Sequence, residues 1–469
     1  MNILKSFFTI GLSTIINILL GLLTTPIITR IVDPSEYGEL LVFNTYVGII
    51  ASFMYFGLNE ALWRFFYEYD ENGKKSLLKL CFSIPLVTSI IASIISIVLF
   101  KFEIIKIDFS FTIFVLLCLN VIFAVWNYIS TEMLQNVQDS KYYSIATLSQ
   151  KAVYSIIAII FILLFRKNYL LILVIATALS VVVSASIGTY VTRKYWKFKD
   201  VSIPKNSVEI IKYSLPSYVY FVIYSIYDTI NNLIVEHFCD EYEVGIYGSA
   251  FALVGLFAII QTAFVVIWRP IQTEHFTLNP DDTEFISKGN MFITIIMFFV
   301  GINVIMFKDI LCLFLGPSYR AGAQVIPFLV FNPIMNTLIS TVNSGVEKSK
   351  KSIYKIIIIV IATSLLFGLD FILIPKYGAR GAAISVAISL IVQYYLTEYI
   401  SKKQYSVDYN TKKSFIIIAS MLFFAYITTF YEVNILTIIV YSFVMILFVL
   451  LYKKDIKDLF DFILVSIKK

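Results

Sequence analysis

Charged side chains are scarce in this sequence. Asp, Glu, Lys and Arg make up 14% of its 469 residues, whereas soluble domains have about 25%. A water-exposed surface on a chain of this length needs more charge, so the composition excludes a water-soluble globular enzyme. Hydrophobic residues reach 59% and the mean hydropathy is +0.84. These values indicate that the lipid bilayer is the solvent for most of the chain.

Cysteine and histidine are also rare. The four cysteines lie far apart without a CxxC pair, and there are two histidines, so neither a disulfide framework nor a metal site is predicted. The net charge of +6 is spread along the chain, which is not the clustered footprint of a nucleic-acid-binding protein. We expect anionic membrane lipids as partners, no nucleic acid and no cofactor.

Fourteen apolar stretches are long enough to cross a bilayer, because a spanning helix needs about 20 residues. Their Ile- and Leu-rich runs lack the alternation of barrel strands, so the predicted fold class is all-α and polytopic. The first stretch carries no small-residue cleavage site and is expected to be retained. The predicted spans are 7–29, 38–62, 77–100, 111–131, 143–165, 170–191, 214–236, 246–268, 290–307, 322–345, 353–374, 381–400, 414–431 and 434–452.

The distribution of positive charge predicts the orientation of these spans. An even number of spans puts both termini on one side, and 28 of the 37 Lys and Arg fall on that side. Because cytoplasmic loops carry the excess of Lys and Arg, both termini are expected in the cytoplasm. The outer loops are short and offer no room for a catalytic domain, which disfavours a membrane-bound sugar polymerase and predicts a protein that is not an enzyme.

Local features repeat at an offset of about 205 to 209 residues, at equivalent ends of the predicted helices. Two parallel six-helix repeats are typical of transporters that bind their substrate between the halves and move one half against the other. The matching pairs are 36–38 with 243–245, 63–64 with 268–269, 137–141 with 346–350, and 190–194 with 399–403. The predicted domains are an N-terminal lobe 1–192, a basic cytoplasmic linker 193–213, a C-terminal lobe 214–401, and two additional helices with an amphipathic tail, 402–469.

The motifs at these helix ends resemble those of Wzx-type polysaccharide flippases, in the multidrug/oligosaccharidyl-lipid/polysaccharide (MOP) exporter superfamily. The resemblance covers about residues 1–400. It is carried by Gly21, Thr25-Pro26, Thr29-Arg30, Asp33-Pro34-Ser35-Glu36-Tyr37-Gly38, Leu215-Pro216, Asp228, Glu243-Val244-Gly245-Ile246-Tyr247, Gly316-Pro317-Ser318-Tyr319, Ala321, Pro327 and Ile374-Pro375-Lys376-Tyr377-Gly378-Ala379-Arg380-Gly381-Ala382-Ala383.

This resemblance implies a MATE-like bundle of twelve core helices around a central cavity, in the inner membrane of a bacterium. It implies a flippase that moves an isoprenoid-pyrophosphate-linked oligosaccharide, a repeat unit of O-antigen or capsule, to the outer leaflet. Alternating access, ion coupling and other polysaccharide-assembly proteins as partners belong to the same expectation. The superfamily also contains lipid II flippases and multidrug and toxin extrusion (MATE) antiporters, and these turn motifs specify the superfamily better than the substrate.

Four cations are candidates for binding the pyrophosphate. Arg64 and Arg269 occupy equivalent positions in the two halves, and the guanidinium fork suits phosphate oxygens. The alternative is that each anchors its helix at the membrane interface, beside Trp63 or Trp268. Lys151 and Lys355 extend this candidate set, with snorkelling to the interface as the alternative. Neutralising both arginines would abolish surface polysaccharide for a flippase and leave it unchanged for a drug or cation antiporter.

Three acids are candidates for coupling transport to H⁺ or Na⁺. Asp228 lies deep inside the seventh span, where a carboxylate is costly unless it is paired, protonated or facing water. Glu60 is one helical turn from Arg64, so the two could pair. Asp370 lies nearer the outer end of the eleventh span. A structural hydrogen-bonding role is the alternative for Asp228, and an interfacial position is the alternative for Asp370.

Amide side chains inside the spans complete the predicted polar cavity. They could bind sugar hydroxyls or simply join neighbouring helices. The candidates are Asn44, Asn231, Asn232, Gln261 and Asn336. A scaffold of a glycan-assembly complex that transports nothing remains a further alternative, although it would give buried acids such as Asp228 no purpose.

Overall fold

The fold is helical throughout the described part of the chain. A computed structural model describes residues 3–199, 201–279, 282–349, 352–431 and 434–467, and contains nineteen α-helices there. They are α1 Ile3–Thr29, α2 Pro34–Met54, α3 Leu58–Phe65, α4 Glu71–Lys101, α5 Phe111–Asn136, α6 Ser140–Phe165, α7 Tyr169–Val191, α8 Ser207–Phe238, α9 Glu241–Val254, α10 Ala258–Leu278, α11 Glu284–Met306, α12 Lys308–Cys312, α13 Ile326–Leu329, α14 Phe331–Val342, α15 Ser344–Ser349, α16 Ser352–Tyr377, α17 Ala379–Gln404, α18 Thr411–Phe430 and α19 Ile435–Ile467.

The helices account for the predicted membrane spans. Among the described residues, twelve helices are long and apolar enough to cross a membrane, and a bent pair, Pro317–Gln324 with Ile326–Val342, adds a thirteenth. The seventh predicted span, 214–236, lies in α8, whose 32 residues extend over about 48 Å. The prediction of an all-α polytopic membrane protein is therefore confirmed.

Three of the predicted spans are not uniform α-helices: two are broken, and the eighth is continuous but contains a 3-10 turn. Within 38–62, α2 ends at Met54 and α3 begins at Leu58, with positive φ at Phe56 (51°) and Gly57 (65°). In the eighth span the 3-10 turn lies between α9 and α10, and the tenth span is the bent pair. Hydropathy does not reveal the break between α2 and α3, because Tyr55, Phe56 and Gly57 do not interrupt the apolar character of the stretch.

Helices continue past the apolar spans at two places. After the eighth span, α10 continues to Leu278, and α11 begins at Glu284. The tail after the last span continues α19 as far as Ile467. Lys and Glu are good helix formers, so a change from apolar to charged sequence marks the end of a hydrophobic span but not the end of a helix.

The chain forms two compact units, Met1–Glu236 and His237–Lys469. In the first unit α6 packs between α1 and α7, and α5 packs against α4, α7 and α2. In the second unit α17 packs against α16 and α14, α14 packs against α11, and α18 and α19 pack against each other and against α11. The last two helices, which lie outside the sequence repeat, are thus integral to the second unit.

The predicted linker 193–213 is packed against the first unit. Tyr195 and Ile210 are buried in a core cluster with side chains of α3 and α4. The ammonium of Lys79 donates to the carbonyl of Val201 at 2.7 Å. Farther along α8, Ser214 Oγ donates to the Phe56 carbonyl at 3.0 Å. The boundary between the two compact units therefore lies after α8, one helix later than the boundary that the sequence repeat predicts. The two lobes defined by the repeat stay a prediction from the sequence.

Candidate functional site

A polar cavity of about 460 Å³ lies inside the first unit, between α1, α2, α6 and α7. This volume is in the range of small-molecule binding sites. Its polar lining consists of Asn17, Thr24, Thr25, Tyr37, Asn44, Thr147, Gln150, Lys151, Tyr154, Thr177 and Ser180.

Helical periodicity explains why these side chains converge. On α6 the lining residues follow the spacing i, i+3, i+4, i+7 from Thr147 to Tyr154, and on α2 the same spacing runs from Tyr37 to Asn44. Residues at this spacing share one helix face. The α6 stripe is polar throughout, whereas the α2 stripe has Leu40 and Leu41 between Tyr37 and Asn44. Both stripes were readable from the sequence, but only Lys151 and Asn44 were predicted.

Lys151 supplies the positive charge of the cavity. It lies near the middle of α6 and is half-buried, with its ammonium 5.7 Å from the ring centre of Tyr154. No described Asp or Glu forms an ion pair with it. An ammonium at this depth is costly in hydrocarbon and is tolerated where it faces polar groups or water. Its place in the lining favours a role inside the cavity over snorkelling.

Some of the polar side chains in the cavity wall are hydrogen-bonded to neighbouring side chains, and one has an oxygen atom that is free to bind a ligand. Thr24 Oγ1 and Ser155 Oγ are 2.6 Å apart and join α1 to α6, and Asn127 Nδ2 donates to Gln150 Oε1 at 3.3 Å. The buried amide oxygen of Asn17 has no hydrogen-bond partner in the described structure. Because a buried polar atom without a partner is costly, Asn17 is a natural acceptor for a ligand hydroxyl.

The other predicted cations are not part of this cavity. Arg64 is half-exposed and pairs with Glu68, one turn farther along the chain, rather than with Glu60. Lys355 is exposed on α16, in the second unit. Arg269 belongs to α10, but its side chain lies outside the described residues.

The predicted acids have contrasting environments. Asp228 is exposed on α8, and Glu60 is half-buried on α3. Asp370 is fully buried (0% exposed) and hydrogen-bonded to Ser385 of α17. The close packing of α16 on α17 covers it, and its position nearer the outer end of the span stays a prediction.

Several predicted amides join elements of the fold. Asn232 of α8 donates to Thr45 Oγ1 of α2 at 2.9 Å, and Asn336 donates to Asn332 Oδ1 within α14 at 3.2 Å. Asn231 is buried on α8, and Gln261 is half-buried on α10. Of the predicted amides, Asn44 lines the cavity with Lys151.

The comparisons with known proteins agree with this architecture. A family model described as "Polysaccharide biosynthesis protein" matches residues 3–276. Among solved structures, "Lipid II flippase MurJ, inward closed conformation" aligns over 95% of this chain and 99% of its own, with a TM-score of 0.70 and 15% identity. An inward-facing MATE family multidrug resistance transporter of the MOP superfamily aligns over 82% and 94%, with a TM-score of 0.62 and 18% identity.

The outward-facing form of a MATE family transporter also matches, over 85% of this chain and 95% of its own, with a TM-score of 0.56 and 16% identity. At these identities the structures show the shared fold alone. A comparison with curated protein sequences found no match. Because the family model covers more than half of the chain, the protein belongs to the polysaccharide biosynthesis protein family, and it is a multi-pass membrane protein with a MATE-like fold.

Proposed function

We propose that this protein is a flippase that moves an isoprenoid-pyrophosphate-linked oligosaccharide from the inner to the outer leaflet by alternating access. The observation that carries the proposal is the polar cavity around Lys151, in a chain of the polysaccharide biosynthesis family. Such a substrate has a pyrophosphate and a glycan that are insoluble in hydrocarbon and a tail that is soluble in it. The protein must therefore shield the polar part alone.

The cavity offers the groups that this polar part requires. The ammonium of Lys151 is a charge-assisted donor for phosphate oxygens. The amides of Asn17 and Asn44 and the hydroxyls of Thr24, Thr25 and other lining residues supply donors and acceptors for the glycan. The isoprenoid tail needs no counterpart in the cavity because it stays in lipid.

A MATE-type antiporter of cationic drugs is the runner-up. A cation would require a carboxylate in the binding site, and no Asp or Glu is found among the described residues that line this cavity. The cavity therefore favours an anionic substrate. A lipid II flippase is a second alternative, which the fold allows and which would use the same pyrophosphate contacts with a different glycan.

Ion coupling and cellular context complete the proposal. Asp228 and Asp370, together with Glu60, are the candidate sites for H⁺ or Na⁺, because acids inside spans are functional candidates by default. The cytoplasmic membrane of a bacterium, with both termini inside, fits the excess of basic residues on that side. Other polysaccharide-assembly proteins would supply the substrate and receive the product.

Substitutions of Lys151 test the proposal. In cells lacking the native gene, K151Q should lower surface polysaccharide at least tenfold and trap lipid-linked oligosaccharide in the inner leaflet, at an unchanged amount of protein in the membrane. K151R should retain part of the activity because it retains the charge. The matched control K355Q removes a charge outside the cavity and should be neutral. Wild-type export by K151Q would overturn the proposal.

A further inference from the structure

A second polar cavity lies at one end of the first unit. It has a volume of about 420 Å³ and is formed by the turn after α3, the start of α4, the segment joining α5 to α6, and the end of α7. It shares no lining residue with the Lys151 cavity. By the distribution of Lys and Arg, this end of the unit is predicted to face the cytoplasmic leaflet.

The second cavity contains a buried amide that the protein does not satisfy. Asn136, the last residue of α5, is 1% exposed and lines the cavity. Neither its amide nitrogen nor its amide oxygen has a hydrogen-bond partner among the described residues. Its backbone carbonyl does have one, since Tyr67 Oη donates to it at 2.6 Å. An amide left with both a donor and an acceptor unpaired calls for a specific explanation, and a ligand with complementary groups provides one.

Two lysines line the same cavity. Lys74 is largely buried, with its ammonium 5.0 Å from the ring centre of Phe66. Lys194 lies 4.5 Å from the ring centre of Tyr195. Both ammoniums approach one carboxylate, Glu71, at 3.7 Å and 3.3 Å. Lys74, Lys194 and Glu71 together carry a net charge of +1, which the one acid of the described lining, Asp139, balances.

The carboxylate in the described lining of this cavity caps a helix. Asp139 is the only acid among the described lining residues, and it accepts from the backbone amide of Tyr142 at 3.2 Å as the N-cap of α6. The segment just beyond the cavity adds exposed cations: Arg193, Lys197 and Lys199. The local charge thus favours an anionic ligand.

We propose that this cavity binds the phosphoglycerol headgroup of an anionic phospholipid, as a site separate from the transport cavity. Lys74, Lys194 and the amide nitrogen of Asn136 would donate to the phosphate oxygens, and the amide oxygen of Asn136 would accept from a glycerol hydroxyl. A phosphoglycerol group has both an acceptor, the phosphate, and a donor, the hydroxyl, and Asn136 has an unused donor and an unused acceptor that complement them. A bound headgroup would hold the ends of α4, α5 and α7 together at the membrane surface.

Binding is measured on the full chain purified in detergent, as the ligand-dependent rise in unfolding temperature. Phosphatidylglycerol should bind and phosphatidylcholine should not. K74Q/K194Q should weaken phosphatidylglycerol binding about tenfold or more, since it removes two charge-assisted hydrogen bonds to the phosphate. The control K205Q/K212Q removes two charges from exposed lysines of the same unit, outside the lining, and should change the affinity less than twofold. An equal loss in the control would overturn the proposal in favour of diffuse attraction.

The variant N136L tests whether the unpaired amide of Asn136 binds the ligand or has no function. The apolar replacement removes the orphaned polar atoms, so the lipid-free protein should be at least as stable as the wild type. Phosphatidylglycerol binding should nevertheless fall about tenfold. Unchanged binding by N136L would contradict the proposal, and this variant keeps the test decisive if K74Q/K194Q does not fold.

Soluble glycerol 1-phosphate distinguishes the source of the ligand. If it binds, and the substitutions at Lys74, Lys194 and Asn136 weaken its binding as they weaken that of phosphatidylglycerol, the cavity is a phosphoglycerol site whose ligand comes from the cytosol. If phosphatidylglycerol alone binds, the occupant is lipid. If neither ligand raises the unfolding temperature, the proposal is wrong. These readouts involve no transport, so they do not depend on the flippase assignment.

Discussion

The carboxylate of Glu243 accepts a hydrogen bond from the backbone amide of Ala379 at 2.8 Å, and so links the start of α9 to the start of α17. Gly378 precedes Ala379 with φ of +57°, and a Cβ atom at this position would lie 2.6 Å from Glu243 Oε2. All three residues belong to the motifs by which the sequence resembles the flippases. Those motifs therefore encode helix starts and close contacts of the fold, which explains why they say little about the substrate.

The first prediction concerns this link. Because Glu243 satisfies a free amide at the first turn of α17, E243A should destabilise the protein by about 1 to 2 kcal/mol. The unfolding temperature in detergent measures the loss. E241A removes an acid from the same turn of α9 and should have a smaller effect. Equal losses in the two variants would mean that general charge at this turn, and not the contact with Ala379, stabilises the protein.

The second prediction concerns the break between α2 and α3. A Cβ on Gly57 would lie 2.5 Å from the Ser214 carbonyl oxygen and 2.9 Å from the Tyr218 backbone nitrogen, both in α8. Backbone atoms cannot move aside cheaply, and φ is +65°, so G57A should cost more than about 2 kcal/mol of stability.

Gly48 is the matched control for Gly57, because it lies in α2 and a Cβ there would meet nothing within 4 Å. G48A should leave stability unchanged or raise it by up to about 1 kcal/mol. The unfolding temperatures of the two variants give the comparison. If both behaved alike, the close approach of α8 to the break would not matter for folding.

The fold class was readable from the sequence because hydropathy and positive charge act over whole spans. Fourteen apolar runs predicted the helices, and the constraint that backbone polar groups in lipid need partners predicted their type. Breaks within spans were not predictable in this way. The bend at Gly57 depends on a contact with Ser214, more than 150 positions later in the chain, and hydropathy carries no information about such contacts.

The candidate site was predictable only in part, for a related reason. Lys151 stood out because a charge inside a span is rare, whereas Asn17 and Thr147 are unremarkable as single residues. Their significance lies in the helix faces that they share with Lys151 and Asn44. Asp370 is a similar case, because its burial depends on the packing of α17, which the position of the residue along its own span does not reveal.

The third prediction tests the transport cavity through Gly21 of α1. A Cβ at this position would lie 3.4 Å from both Cε and Nζ of Lys151, which is ordinary contact, so G21A should transport normally. G21L would extend into the space of the ammonium and should reduce export at least tenfold at a normal protein level. Surface polysaccharide in the complemented deletion strain is the measurement. Full activity of G21L would show that Lys151 does not need this space.

The fourth prediction concerns Asp228 and Asp370, the two aspartates among the coupling candidates. Asp228 is exposed on α8, so D228N removes a charge with little effect on packing. It should stop transport, if Asp228 binds the coupling ion, without lowering the amount of protein in the membrane. The control D108N removes an exposed acid from the segment before α5 and should be neutral. Wild-type transport by D228N would exclude the coupling role of Asp228.

Asp370 needs a different readout because it is buried and bonded to Ser385. D370N preserves the volume and the ability to hydrogen-bond, so stability should change by less than about 1 kcal/mol if the group is bound as a neutral acid. In proteoliposomes, a coupling residue would make D370N transport independent of an imposed pH or sodium gradient, while a structural residue would leave the dependence intact. Because the two acids are replaced separately, gradient-driven transport that is lost in one variant and persists in the other assigns the coupling ion to a single helix.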